Sequence, residues 1–278
     1  MPDLARPPWV IAHRGDHRWV PENTLAAFDA AVRGGCDMIE TDLRRCADGI
    51  VVCHDARVGG RLVASMSRHE IGAVTGDLPP SLDEVLECCR GRIGVNLELK
   101  EAGLEADVLG AVAPLFSPAQ YLISSFRAAV LAAVRDLDTA ARTGLLSARG
   151  LGALVQSRGA GPGPRPAAAV LATMRDCGAD VLIPDVLDRE LIALAADRDA
   201  ALIIWDANAG EQIDEALSIP ALAGVITDSP QRARQALASR AGRPVSRPFT
   251  SASGAEMTTG IELLNTVQDG AANVSHSI

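Results

Sequence analysis

Apolar positions along this chain follow two alternating rhythms. Short runs rich in Val, Ile and Leu are separated by longer stretches in which apolar residues recur every three or four positions, the pattern of buried strands alternating with amphipathic helices. Eight strands are predicted, near residues 9–13, 38–42, 95–100, 121–125, 141–146, 181–184, 201–205 and 224–227. Helices are predicted near 24–33, 82–90, 104–115, 128–137, 167–177, 189–197, 211–218 and 231–240. Eight strand-helix units in series, in a chain of 278 residues, predict an α/β fold: a single-domain (β/α)₈ or TIM barrel, which needs ~250 residues. A short extra strand at 50–54 follows the second through the turn-forming pair Asp48-Gly49, and a loop to Ser81 follows it. The Gly/Pro segment 159–166 reads as a surface linker.

The barrel is placed at 7–240. Residues 241–278 shift to Ser, Thr, Gly and Ala with only a weak apolar patch at 261–267, so a disordered C-terminal tail is expected, and His276 within it has no catalytic role.

Composition narrows the function. Lys and Arg number 26 against 35 Asp and Glu, a formal net charge of -9 with no basic tract, which argues against nucleic acid as a partner. No apolar run approaches the ~18 residues of a membrane span, so no stable membrane insertion is expected. The first residues lack the basic and apolar regions of a secretion signal, and a cytoplasmic location is expected. Six cysteines without C-x-x-C spacing read as free thiols, several of them buried. The sequence leaves the oligomeric state open.

The chemistry begins with strand alternation. Glu40 and Asp42 share one face of the second strand, and Glu98 and Lys100 share one face of the third, while Ile39, Thr41, Leu43, Leu97 and Leu99 take the opposite faces. In a barrel the apolar set packs under helices, so the charged set points inward at one mouth. Converging carboxylates repel and lose hydration at a cost of several kcal/mol per ion, unless cations compensate. Lys100 and Arg14 can do so in part, and a hard divalent ion is the alternative, since carboxylate oxygens without Cys or His suit magnesium or calcium. His13 and His54 end strands on the expected active face and supply groups that titrate near neutral pH. Arg14 offers a planar fork for phosphate oxygens or for an ion pair. Asn23 or Thr24 caps the first helix. His17 and His69 are expected as exposed surface residues without partners.

Read together, His13-Arg14-Gly15, Pro21-Glu22-Asn23-Thr24, Glu40-Thr41-Asp42, His54-Asp55 and Glu98-Leu99-Lys100 resemble the glycerophosphodiester phosphodiesterase family, in the family's order. Ser124-Ser125-Phe126, Trp205 with Asn208, and Thr227-Asp228-Ser229-Pro230 are similar to its later landmarks. The resemblance implies metal-dependent hydrolysis of a small glycerophosphodiester. Glu40, Asp42 and Glu98 would hold one divalent cation, Mg2+ or Ca2+, His13 and His54 would exchange protons, and Arg14 and Lys100 would bind the phosphate. Trp205 would wall the glycerol carbons or, alternatively, belong to the core. Three departures bear on substrate choice: Asp16 stands where the family often has glycine, the segment 56–80 is short, and Trp205-Asp206-Ala207-Asn208 differs from the common W-T-V-N. Two other readings stay open. One is a lipid phosphodiesterase of the lysophospholipase D or sphingomyelinase D kind, against which the 3% aromatic content counts. The other is a catalytically silent barrel that binds a phosphorylated metabolite.

Overall fold

Alternate side chains of the parallel strands sort into two apolar layers, and this sorting closes the sheet into a cylinder. The computed structural model describes residues 8–148, 165–220 and 222–241. Eight parallel strands form the barrel: β1 (Trp9–Ala12), β2 (Met38–Cys46), β6 (Gly94–Leu99), β7 (Tyr121–Ser125), β8 (Thr143–Ser147), β9 (Val181–Pro184), β10 (Leu202–Ile204) and β11 (Leu222–Thr227). The ring closes where β1 pairs with β11 on one side and with β2 on the other, through Ile11↔Met38 and Ala12↔Ile39. Ile11, Met38, Leu122, Ile183, Ile203 and Ile226 fill the interior. Ile39, Leu43, Leu97 and Leu99 point outward, as their spacing predicts, under the helices α1 (Leu25–Arg33) and α3 (Leu82–Cys89) and beside α4 (Glu105–Val112). The remaining outer helices run over Ala128–Leu137 (α5), Ala167–Asp176 (α6), Arg189–Ala196 (α7), Gly210–Ala216 (α8) and Pro230–Ala241 (α9).

The second strand runs four residues past its predicted end because it leaves the barrel. Leu43 to Cys46 pair antiparallel with β3 (Gly49–Val52), making a ribbon that rises from the mouth and turns back. The expected loop to Ser81 is structured instead. It holds a small hairpin, β4 (Arg57–Val58) with β5 (Arg61–Leu62), a 3-10 turn and the helix α2 (Arg68–Thr75), whose capping box joins Ser67 and Glu70. Val63, Met66 and Ile71 pack this segment on Cys46 and Val51 of the ribbon. Only Ile71 of α2 is buried, too thin an apolar stripe for periodicity to reveal. Thr24, and not Asn23, caps α1 by accepting from Ala27 N–H. The predicted tail, its patch at 261–267, His276 and residues 159–164 of the linker lie outside the described residues.

The turn after β1 is tight. Gly15 has φ +83°, and a Cβ there would stand 2.7 Å from the Ala27 carbonyl carbon. Gly60 has a similar φ, +82°, but nothing within 4 Å. Gly60→Ala is therefore expected to lose about 1–2 kcal/mol, the cost of left-handed backbone. Gly15→Ala should lose a further ~1–3 kcal/mol because the chain must move off α1. Urea unfolding of the two variants measures the difference, and equal losses would refute the close approach.

Candidate active site

The charged candidates meet at the C-terminal ends of the strands. Register sets this directly, since Glu40 lies opposite Asn96 and Asp42 opposite Glu98 on the paired strands β2 and β6. Relative exposures of 3%, 1% and 6% leave Glu40, Asp42 and Glu98 almost without solvent. One oxygen from each lies within 4.8 Å of the other two. Lys100 bridges two of them, its Nζ standing 2.8 Å from Asp42 Oδ1 and 2.7 Å from Glu98 Oε1. Arg14 Nε lies 3.3 Å from Asp42 Oδ2, and the Arg14 backbone N–H donates to Glu40 Oε2 at 3.1 Å.

Three carboxylates thus face Lys100, Arg14 and the His13 imidazole, and proton affinities record that burial outweighs this compensation at two of them. Burial and the neighbouring Asp42 charge push Glu40 up to about 8. Burial also raises Glu98, against the pull of Lys100. Burial acts upward on Asp42 too, but Lys100 and Arg14 overcome it and hold this carboxyl well below the usual range. The site therefore has room for one more positive charge, on hard oxygen donors, and a divalent cation fits.

The two imidazoles come by different routes. His13 follows β1, and its Nδ1 lies 2.7 Å from Asp228 Oδ1, which leaves Nε2 on the side of Glu40, 3.9 Å away. Burial opposes its charged form, yet the Asp228 hydrogen bond and the Glu40 charge prevail and hold the ring up at about 9. His54 comes back down the β2–β3 ribbon, anchored as Cys53 N–H donates to Asp42 O at 3.0 Å. Its Nδ1 lies 2.9 Å from Asp55 Oδ1. Burial and Lys100 lower its proton affinity.

His13, Arg14, Glu40, His54, Glu98, Lys100 and Trp205 line one cleft. Trp205 meets Phe126 edge to face at 5.6 Å between ring centroids. Arg14 is held by Glu22 at 2.6 Å as well as by Asp42, the ion-pair arrangement that its position also allowed.

Several participants escaped sequence reasoning. Asn23 donates from Nδ2 to Asp42 Oδ2 at 2.8 Å and accepts from Thr41 at 2.9 Å, so it fixes a carboxylate and does not cap the helix. Asp228 accepts from Asn208 Nδ2 at 2.7 Å on its second oxygen. His17, expected on the open surface, has Nε2 3.1 Å from Asp228 Oδ1. A carboxylate just after the last strand was a visible signal for the active face, but its partner His13 is 215 residues away. His69 is exposed on α2, as expected.

Residues 13–232 match the model of the glycerophosphoryl diester phosphodiesterase family. The chain belongs to that family. It is 34% identical over 164 residues to a glycerophosphodiester phosphodiesterase of Caldanaerobacter subterraneus subsp. tengcongensis, covering 51% of this chain and 68% of that relative. Among solved structures, a Thermotoga maritima glycerophosphodiester phosphodiesterase superposes with a TM-score of 0.63 at 21% identity, covering 80% of this chain and 96% of the other. An Oleispira antarctica phosphodiesterase in complex with the product sn-glycerol-3-phosphate gives 0.66 at 22% identity, with 83% and 96% covered. These likenesses show that the family barrel is the fold of this chain. No helix among the described residues is long and apolar enough to cross a membrane.

The burial of Glu40 has a thermodynamic consequence. Glu40 holds its proton to higher pH when folded than when unfolded, so stability in chelator should fall as pH rises from about 5 to about 8. A cation at a hundredfold excess over its Kd contributes ~2.7 kcal/mol, which lifts the melting midpoint by roughly 5–10 °C at neutral pH. Glu40→Gln should raise the midpoint in chelator and abolish the lift. A full lift retained in Glu40→Gln would assign the cation elsewhere.

Proposed function

We propose that the protein hydrolyses small glycerophosphodiesters to an alcohol and glycerol 3-phosphate, using one divalent cation, Mg2+ or Ca2+, and two histidines. One observation carries this reading: three buried carboxylates share a cleft with two imidazoles, each tied at Nδ1 to a carboxylate of its own. Family membership supports the reaction class, and the product held by the Oleispira neighbour supports the glycerol phosphate half.

Glu40, Asp42 and Glu98 would hold the cation, which orients phosphoryl oxygens and withdraws charge from phosphorus as a Lewis acid. Lys100 and Arg14 line the same cleft and stabilise charge on those oxygens. His54, whose lowered proton affinity keeps it neutral, accepts the proton of the glycerol 2-hydroxyl as that oxygen attacks phosphorus. His13, kept protonated by Asp228, gives the Nε2 proton to the departing alcohol. The roles reverse when water opens the cyclic phosphate. Trp205 and Phe126 pack against the glycerol carbons.

Release of glycerol 3-phosphate from glycerophosphocholine is expected to stop in chelator and return with Mg2+ or Ca2+. His13→Ala or His54→Ala should lower kcat by about 10²–10⁴. The pH profile should be bell-shaped, falling on the acid side, below the ordinary imidazole range, as His54 takes up a proton and on the alkaline side towards about 9 as His13 loses one. Full activity in chelator, or in His54→Ala, contradicts the proposal.

Asp228 acts through His13. Asp228→Asn keeps the side-chain volume but removes the charge that selects the Nδ1–H form of the imidazole, and a loss of about 10²–10⁴ in kcat with KM little changed is expected. A pure KM effect in steady-state kinetics would instead make Asp228 a substrate contact.

A further inference from the structure

Exposed apolar side chains are distributed unevenly over this barrel. Among the described residues, the large exposed hydrophobics are Trp19, Leu25, Leu62, Val74, Leu78, Leu137 and Leu187. All but Leu137, which ends α5, lie in segments that follow the C-terminal ends of strands, the pole that carries the cleft. A single exposed apolar side chain needs no partner, but six of the seven on the pole that carries the cleft mark that pole as a contact surface.

Three of these side chains stand on segments whose neighbouring residues form or hold the entrance. Trp19, 88% exposed, sits between His17, which meets Asp228, and Glu22, which holds Arg14. Leu187, 72% exposed, lies beside Val186, whose N–H donates to Trp205 O at 2.6 Å. Leu62 ends β5 in the hairpin that follows His54 and Asp55. Each stands on a separate loop, so together they form discrete points and not a continuous face. Such separate points are unlike the continuous face of ~800 Å² per partner that a stable protein dimer buries. A second copy seated there would also block the cleft.

A lipid surface meets both conditions. Scattered Trp and Leu side chains insert singly among lipid headgroups, and the exposed Arg18 next to Trp19 is placed to meet lipid phosphates. The net charge of -9 disfavours anionic bilayers and leaves zwitterionic phospholipid as the partner. We infer that the barrel mouth docks reversibly on zwitterionic phospholipid surfaces through Trp19, Leu62 and Leu187, which brings the cleft to phosphodiesters held at an interface. This inference rests on the hydrolase reading only for its use, since docking and hydrolysis are measured apart.

The test is flotation of the full chain with vesicles of pure phosphatidylcholine, alongside hydrolysis of soluble glycerophosphocholine. Wild type should float, with a blue shift of tryptophan emission. Trp19→Ser and Leu187→Ser should each weaken binding by about tenfold while leaving soluble hydrolysis unchanged. Hydrolysis without flotation overturns docking and spares the hydrolase; flotation without hydrolysis does the reverse. Undiminished flotation of both variants also overturns it. So does protection of Trp19 from acrylamide quenching before vesicles are added, which would give the surface to residues 242–278 or to a second copy.

Discussion

Burying three carboxylates at the mouth of an otherwise apolar cylinder is the constraint around which this chain is arranged. Strand register brings Asp42 level with Glu98, and side-chain alternation adds Glu40 to the same face, so repulsion is built into the barrel wall. Lys100 and Arg14 offset part of it, and their placement governs much of the nearby backbone. Arg14 and Asn23 both adopt positive φ, at 52° and 56°, and each thereby turns a polar group onto the acidic trio. The Pro-Glu-Asn-Thr segment is accordingly a clamp: Glu22 holds Arg14, Asn23 holds Asp42, and Thr24 starts α1. Disturbing any one of these contacts leaves charge uncompensated in a medium of low polarity, where it is most costly.

The apolar wall and the polar mouth obey different rules. Outside the ring, packing is redundant, with Ile39, Leu43, Leu97 and Leu99 sharing one continuous layer with four helices. Such a layer tolerates adjustment as long as volume is kept. Inside the mouth, the charged groups have particular partners, Lys100 on Asp42 and Glu98 and Asp228 on His13, and the layer beneath holds those partners still.

Much of this was legible in the residues themselves. Period-two strands and period-3.6 helices set out eight units in order, and the alternation of Glu40 with Thr41 and of Glu98 with Leu99 already assigned inward and outward faces. What stayed hidden were contacts that depend on distance along the chain. Nothing near His13 announces Asp228, and nothing near Asp42 announces that Asn23 reaches it. The structured segment between His54 and Ser81 was hidden for another reason. Its strands are two residues long and its helix buries a single side chain, so no periodic signal could build up.

The pairing of His13 with Asp228 spans the seam at which β1 meets β11. The acidic trio comes entirely from the first hundred residues, yet the alignment of this imidazole waits for the last strand. A nascent chain thus acquires its acidic trio early and the His13–Asp228 contact late. The geometry of this imidazole is thereby tied to completion of the ring, so a truncated or half-made barrel lacks it.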